Sequence, residues 1–321
     1  MTSIKAAMLG AAIALCTFGA AHAAYPDRAV KIVVPQAPGG ASDALARLIA
    51  QKLGDAWGQP VVVENRAGAG GNIGLESVAR STGDGYTLLM SYEGTQAINV
   101  SLYKTVTYDP VGDFEPVATV ATVPFLLAVN NNVKATDFKA FVAAAQADGK
   151  VTFGSAGNGT VNHLLGEMMN MVTHTKLTHV PYRGAGPALA DLLGGSIDSV
   201  FSSAPSIAQQ VDAGKVRALA ITSAQRSERF PNLPTIAESG YPSFDVNPWF
   251  GLFAPKGTPP DVVQKINMDV GKLLDDPAFV KSLAAQGATP MKLTPDQFRT
   301  ILVKDIKKWA VVVKESGAVA N

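Results

Sequence analysis

Short apolar runs alternate along this chain with stretches whose apolar residues recur every three or four positions. Runs of the first kind predict strands, at residues 30–34, 60–64, 86–91, 125–129, 151–153, 199–201 and 216–221. Stretches of the second kind predict helices, at residues 44–53, 72–80, 138–147, 163–171, 188–193, 261–274 and 295–313. Strands that alternate with helices indicate an α/β chain with largely parallel sheets.

Three glycine clusters each follow a predicted strand and precede a predicted helix. They are Gly39-Gly40, the Gly-Ala-Gly-Gly run at 68–71, and the Gly-Asn-Gly-Thr run at 157–160. Glycine lets the main chain turn sharply and lets a ligand approach peptide N–H groups. The first turn of a helix adds unpaired N–H donors and the positive end of the helix dipole. Each cluster is therefore either a simple turn or a site for a carboxylate or phosphate.

The sequence lacks the motifs that bind nucleotides. Gly68-Ala69-Gly70 begins like a dinucleotide fingerprint, but Ile73 stands where its third glycine is needed. No glycine loop is followed by Lys-Ser or Lys-Thr, as the phosphate loop of nucleotide hydrolases requires. A small carboxylate is therefore favoured as the anion.

The first 23 residues have the pattern of a secretory signal peptide. Lys5 precedes the apolar run 6–20, and Ala21-His22-Ala23 has the small-x-small form of a cleavage site. The only cysteine, Cys16, lies inside this segment. The sequence thus predicts a periplasmic protein that begins near Ala24 and contains no disulfide.

The charge balance argues against nucleic acid or an anionic membrane surface as a partner. The chain has 27 Lys and Arg, of which Lys5 belongs to the predicted signal, against 26 Asp and Glu. The remaining chain is formally neutral and has no run of like charges. Its length is more than one average domain needs, so two lobes are expected.

About ten separated motifs, in order along the chain, resemble one known family. They include Tyr25-Pro26, Pro38-Gly39-Gly40 with Asp43, Glu64-Asn65-Arg66, Asp84-Gly85-Tyr86, Gly157-Asn158-Gly159-Thr160, Pro181-Tyr182-Arg183-Gly184, Leu192-Leu193-Gly194-Gly195, Leu233-Pro234-Thr235 and Trp249. This set resembles the Bug family, the extracytoplasmic solute-binding proteins of tripartite tricarboxylate transporters. The resemblance covers nearly the whole predicted mature chain.

The resemblance implies a two-lobe periplasmic binding protein, or Venus flytrap. Each lobe would be a mixed, largely parallel sheet with flanking helices. Lobe 1 would comprise residues 24–124 and 249–321, and lobe 2 would comprise residues 125–248. The chain offers Pro-flanked apolar crossings at 123–125 and 247–250.

The resemblance also implies that strand–helix loops facing the cleft hold a carboxylate, largely through main-chain N–H groups and waters. The candidate ligand-binding residues are Gln36, Pro38, Gly39, Gly40, Asp43, Glu93, Gly94, Ser155, Gly157, Asn158, Gly159, Thr160, His163, Tyr182, Arg183, Ser202 and Ser203. Glu93 is an unusual acid for the family at this point. It would repel a second carboxylate or attract a ligand amine.

Three of these side chains keep an alternative interpretation. In the alternative for Asp43, Ser42 would cap the first helix and Asp43 would favour its dipole, whether or not Asp43 also meets a ligand. His163 either packs against or caps its helix, or it contacts the ligand. Arg183 is either a charge partner for a carboxylate or a solvated loop arginine.

No enzyme chemistry is evident. The sequence has no HExxH motif, no cysteine cluster and no Gly-x-Ser-x-Gly elbow. Ser155, His163 and Asp43 could form a triad only by chance of folding, since nothing in their spacing favours it. We therefore expect a monomeric, non-enzymatic protein without cofactor or metal that delivers a carboxylate to membrane transporter subunits. The alternatives are a ligand sensor with a signalling partner and, less favoured, a secreted hydrolase.

Overall fold

The fold is built on two sheets, seen in a computed structural model that describes residues 25–148 and 150–320. The strands are β1 (Val30–Val34), β2 (Val61–Asn65), β3 (Thr87–Tyr92), β4 (Phe114–Thr122), β5 (Phe125–Asn130), β6 (Thr152–Ser155), β7 (Thr178–Pro181), β8 (Ser199–Ser203), β9 (Val216–Ile221), β10 (Trp249–Pro255) and β11 (Thr289–Pro290). The predicted signal peptide and Cys16 lie outside the described residues.

Ten helices are described within those ranges, in addition to a 3₁₀ turn at Ala69–Gly71 and a π-helical turn at Gly94–Ile98. The helices are α1 (Ala41–Trp57), α2 (Asn72–Ala79), α3 (Asn99–Leu102), α4 (Phe138–Asp148), α5 (Val161–Thr173), α6 (Ala185–Gly194), α7 (Ala204–Asp212), α8 (Pro260–Asp275), α9 (Pro277–Ala285) and α10 (Pro295–Ser316). None of the helices in this part of the chain is both long and apolar enough to cross a bilayer.

The first sheet has the strand order β11-β4-β10-β3-β1-β2, and the second has the order β7-β6-β8-β5-β9. In each sheet one group of strands is parallel: β1 with β2 and β3, and β6 with β7 and β8. Antiparallel strands complete both sheets, with β10 beside β3 and β4, and β5 beside β8 and β9. The predicted α/β class is confirmed, although the antiparallel share is larger than the sequence suggested.

Every predicted strand and helix overlaps an observed element, and several elements were missed. Strands β4 and β10 are wholly or largely buried, but Pro116 and Gly251 interrupt their sequences and obscure the strand pattern. Helix α7 begins directly after β8, so the short apolar strand dominated the pattern there. Helix α9 is only 9 residues long and follows α8 almost directly.

The chain leaves the first sheet between β4 and β5 and returns to it before β10. These two crossings are bonded to each other. The Val123 N–H donates to the Pro248 carbonyl at 2.9 Å. The fully buried Thr222 Oγ1 accepts from the Phe125 N–H at 2.9 Å and donates to the Val246 carbonyl at 2.7 Å. The connection between the sheets is therefore a pair of hydrogen-bonded segments.

The apolar core continues from one sheet to the other. Strand β5 is buried along its whole length, as expected for a strand covered on both faces. Leu127 and Phe153 of the second sheet belong to the same buried cluster as Phe253 of the first sheet and Trp309 of α10. The long C-terminal helix α10 thus joins the first sheet to this shared core.

Gly251 of β10 marks a point of close packing in that core. An added Cβ would lie 2.5 Å from the Phe298 ring and 2.8 Å from the Ala118 carbonyl oxygen. We expect Gly251→Ala to lower the free energy of unfolding by about 1–3 kcal/mol, because overpacking forces neighbouring atoms apart. Denaturant titration measures the change.

A matched control is Gly194→Ala, at the exposed end of α6, where the nearest atom to an added Cβ is 4.0 Å away. This variant should be as stable as the wild type or slightly more stable. Equal stability of the Gly251→Ala variant and the wild type would contradict the packing seen at β10.

Candidate ligand-binding site

A cavity of about 690 Å³ lies between the two sheets. Its wall is made mainly by five loops, each of which follows a parallel strand and leads into a helix. The strand–loop–helix units that supply it are β1–α1, β2–α2, β6–α5, β7–α6 and β8–α7. The carboxyl ends of strands in open α/β sheets are the usual position for ligand sites.

The helices that begin at this cavity are not capped by side chains. Their N-cap residues all line the wall, and none of them accepts a side-chain hydrogen bond from the main chain of its helix. These residues are Gly40, Gly71, Thr160, Gly184 and Ser203. By contrast, Asp276 and Thr294 cap α9 and α10, which begin elsewhere. Uncapped first turns leave main-chain N–H donors and the positive dipole end available to an anion.

Asp43 holds the first-lobe loop from behind. Its carboxylate accepts from the Gly39 N–H at 3.0 Å, from Arg47 Nε at 3.1 Å and from Asn65 Nδ2 at 3.0 Å. Burial by itself would raise the pKa of Asp43, but the hydrogen bonds from Arg47, Gly39 and Asn65 together lower it. Asp43 is therefore a charged anchor that positions the loop and lies outside the cavity wall.

Ser155 holds the second-lobe loop in a similar way. Its Oγ lies 3.1 Å from both the N–H and the carbonyl oxygen of Gly157, and 2.6 Å from Nε2 of His179. Ser155 is buried at the end of β6, so its hydroxyl is directed into the protein and bonded to the loop. Serine and histidine thus fix where the loop begins.

His163 fixes the other end of that loop. Its Nδ1 accepts from the Gly159 N–H at 2.9 Å, and its Nε2 lies 3.4 Å from the carboxylate of Glu167. Its ring stacks on His179, with centroids 3.8 Å apart. This geometry favours a packing role for His163 over a direct contact with the ligand.

The imidazole pair affects the protonation of His179. Burial, followed by the neighbouring His163, lowers the pKa of His179 to about 4. His179 is therefore neutral at pH 7, and its Nε2 can accept the hydrogen bond of Ser155.

Glu93 also lies away from the cavity wall. Its carboxyl group is buried, and the indole N–H of Trp309 donates to it. Burial, and then the charge of Asp305, raises the pKa of Glu93. Asp305 accepts from the indole N–H of Trp249 at 2.8 Å, so the two acids link α10 to β3 and β10. The expected effect of Glu93 on ligand charge finds no support in this placement.

The structure divides the predicted site residues into two groups. The residues in the cavity wall are Gln36, Pro38, Gly39, Gly40, Thr160, Arg183, Ser202 and Ser203. The residues outside it are Asp43, Glu93, Gly94, Ser155, Gly157, Asn158, Gly159, His163 and Tyr182. Tyr182 donates its hydroxyl to Asp191 at 2.7 Å, and an added Cβ on Gly159 would collide with Leu102. Most of the second group shapes or supports the loops.

Sequence reasoning missed the aromatic part of the wall. We call Tyr92, Phe125 and Phe250 the aromatic floor, since all three line the cavity. In sequence they are apolar residues at strand ends and resemble core positions. The segment 67–71 was recognised as a glycine loop but not placed among the site residues, and it also lines the cavity. Within the described residues, no three acidic, histidine or cysteine side chains form a group that could hold a metal ion.

The lowered pKa of His179 predicts that the protein loses stability in acid. An unfolded histidine titrates near 6.5, so the unfolded chain binds more protons than the folded chain between about pH 6.5 and 4. The free energy of unfolding should fall as the pH drops through this interval. In His179→Gln, the loss between pH 7 and 5 should be smaller by about 1–2 kcal/mol, as measured by denaturant titration. Equal losses in the two proteins would contradict the burial of a neutral imidazole.

Known proteins share both the sequence and the fold. Protein BugT of Bordetella pertussis is 43% identical over 92% of this chain and 91% of its own. The structure of R. palustris Rpa4515 with adipate gives a TM-score of 0.88 at 35% identity, covering 92% of this chain and 99% of that one. The structure of MatC from Rhodopseudomonas palustris with bound malate gives a TM-score of 0.82 at 33% identity, covering 90% of this chain and 100% of that one.

The family model for the tripartite tricarboxylate transporter family receptor matches residues 45–318. That match includes the glycine loops at 68–71 and 157–160, the Pro-Tyr-Arg motif and the C-terminal helix, and it confirms the resemblance that these motifs carried. The chain therefore belongs to the Bug family of tripartite tricarboxylate transporter receptors.

Proposed function

We propose that this receptor captures a small organic acid in the cavity and delivers it to a tripartite tricarboxylate-type membrane transporter. The observation that carries the proposal is the convergence of uncapped helix starts from both lobes on one cavity. The acids bound in Rpa4515 and MatC, adipate and malate, are both carboxylates. The same chemistry suits the N-termini of helices here.

Ligand capture would use main-chain donors first and one side chain second. The first turns of α1 and α5 offer N–H groups from opposite lobes. Arg183 is exposed at the wall and forms no ion pair with any residue that the structure describes. Its guanidinium is therefore available to a carboxylate, to which it can bond in a bidentate manner.

The lobes would close on the ligand by rotation about the paired crossings. We assign residues 24–124 and 249–321 to lobe 1 and residues 125–248 to lobe 2. A ligand that contacts both lobes binds the closed form more tightly than the open form, and it shifts the population accordingly. Two hydrogen bonds join the crossing segments about which the lobes would rotate. They are the bond from Val123 to the Pro248 carbonyl and the bond from Thr222 to the Val246 carbonyl.

The receptor is a periplasmic binding protein by family, and we propose that residues 1–23 direct its export. The basis is the apolar run before Ala21-His22-Ala23. Protein isolated from the periplasm should begin at Ala24 by N-terminal sequencing. A periplasmic protein that retains Met1 would contradict cleavage at this position.

Gly40→Val tests the main-chain donors. Gly40 lines the cavity, and an added Cβ there meets no protein atom closer than the Ala37 carbonyl oxygen at 4.0 Å, so we expect a valine side chain to obstruct the cavity. With adipate and malate as probes, calorimetry should show binding weakened by about ten- to a hundredfold. Arg183→Ala should weaken binding less.

The substitution Gly194→Ala, remote from the cavity, serves as the control and should leave affinity unchanged. Gly159→Val is a poorer test, because Gly159 has a φ of +72° and an added Cβ would strike Leu102. If Arg183→Ala abolished binding while Gly40→Val bound normally, a side-chain ion pair would replace the N–H donors as the explanation.

A further inference from the structure

Two stacked histidine rings lie directly behind the second-lobe loop, residues 156–160. The rings of His163 on α5 and His179 on β7 have centroids 3.8 Å apart at an interplanar angle of 14°. Neither histidine lines the cavity, and both lie within hydrogen-bond distance of residues that begin or form the loop. The pair can therefore act on a ligand only through the loop.

The loop depends on a nitrogen lone pair of His163. The Gly159 N–H donates to His163 Nδ1 at 2.9 Å in a buried hydrogen bond. Gly159 directly precedes Thr160, which lines the cavity and is the N-cap residue of α5. A shift of Gly159 would therefore move both the wall and the helix start to which the proposed function assigns a carboxylate.

Only the neutral ring of His163 can accept this bond. Nε2 of the same ring faces the carboxylate of Glu167 at 3.4 Å, so the ring proton lies on Nε2 and Nδ1 is unprotonated. A protonated imidazole has an N–H on both nitrogens and no acceptor. A second proton on His163 would thus set two N–H groups against each other and leave the buried Gly159 N–H without its partner, which is costly.

The charged groups around the pair direct a proton to His163. Glu167 on α5 lies beside that ring and favours its positive form. Strand β6 contributes only uncharged side chains to the contacts of the pair, Phe153 and Ser155. On β7, burial followed by the neighbouring His163 lowers the pKa of His179 to about 4. Two stacked imidazolium ions would repel each other, so His163 takes up the first proton in acid while His179 stays neutral.

We propose that His163 is a proton-sensitive positioning residue for ligand capture. While its ring is neutral, the second-lobe loop keeps the observed conformation and the cavity binds a carboxylate tightly. In acid the ring gains a proton, the bond from Gly159 is lost and the affinity falls. This inference rests on the carboxylate capture proposed above and adds a pH dependence that Glu167 and His179 direct to one ring.

His163→Asn tests the inference on the purified protein, because an amide oxygen can replace Nδ1 as the acceptor and does not titrate. Calorimetry with adipate and malate as probes would cover pH 8 to 5. The variant should bind within about threefold of the wild type at pH 8. The ratio of variant to wild-type affinity should then rise by about tenfold by pH 5, as expected when the wild type loses one buried hydrogen bond. Protonation of the probes affects both proteins equally and cancels in this ratio.

His174→Asn is the matched control, since it makes the same substitution at the exposed C-cap of the same helix. His174 has a φ of +53°, a conformation that asparagine adopts readily, and this variant should keep the wild-type pH profile. His163→Leu removes the acceptor, so it should bind about tenfold more weakly than the wild type at pH 8, with the pH profile of His163→Asn. Either His163 variant alone decides the pH dependence, because neither titrates at this position. Thermal unfolding at each pH checks that the proteins are folded.

The outcomes separate this inference from the proposed function. If the wild type and the His163 variants lose affinity in parallel from pH 8 to 5, His163 is not the sensor and the inference is wrong, while carboxylate capture stands. If folded His163→Leu binds as tightly as the wild type at pH 8, the bond from Gly159 does not position the loop for the ligand. If neither adipate nor malate binds the wild type at any pH, the proposed function itself fails.

Discussion

The hydrogen bonds between the two crossing segments determine where everything else in the site can lie. Thr222 bonds the start of β5 to the segment before β10, and Val123 bonds to Pro248 two residues before Phe250. Because both crossings are fixed side by side, the two sheets direct the carboxyl ends of their parallel strands at one shared space. Phe125 and Phe250 come directly after the crossings and form part of its wall.

Several polar residues around the cavity hold its loops in position and do not line its wall. Asp43 bonds the peptide of Gly39, while Ser155 and His163 bond the peptides of Gly157 and Gly159. A loop that is anchored in this way needs little reorganisation when a ligand arrives. Preorganised donors of this kind avoid part of the entropic cost of binding.

Sequence could predict the framework and the chemistry of the loops. Strand β5 and strand β1 were found because buried parallel or central strands are continuous apolar runs. The glycine loops were found because glycines between a predicted strand and a predicted helix indicate a tight loop at the N-terminus of that helix. The roles of Asp43 and His163 were harder to predict. The sequence around a polar residue beside a loop does not show whether its side chain faces the ligand or bonds to the loop peptide.

The aromatic floor could not be predicted for a different reason. Tyr92 and Phe250 are more than 150 residues apart in the chain, and they meet only because β10 pairs with β3 in a particular register. No local pattern encodes that register, and each residue alone has the pattern of an ordinary core position. The position of Trp309 against Glu93 depends in the same way on how α10 packs.

The uncapped helix starts have a consequence for how this receptor can change over evolutionary time. Every amino acid except proline carries the main-chain N–H that these turns direct at the cavity. Capacity for anions therefore does not depend on keeping one particular side chain at each of these turns. Side chains such as Gln36 and Phe125 can then vary without loss of that capacity. The specificity for one organic acid could therefore change through a few substitutions, while the main-chain anion site stays the same.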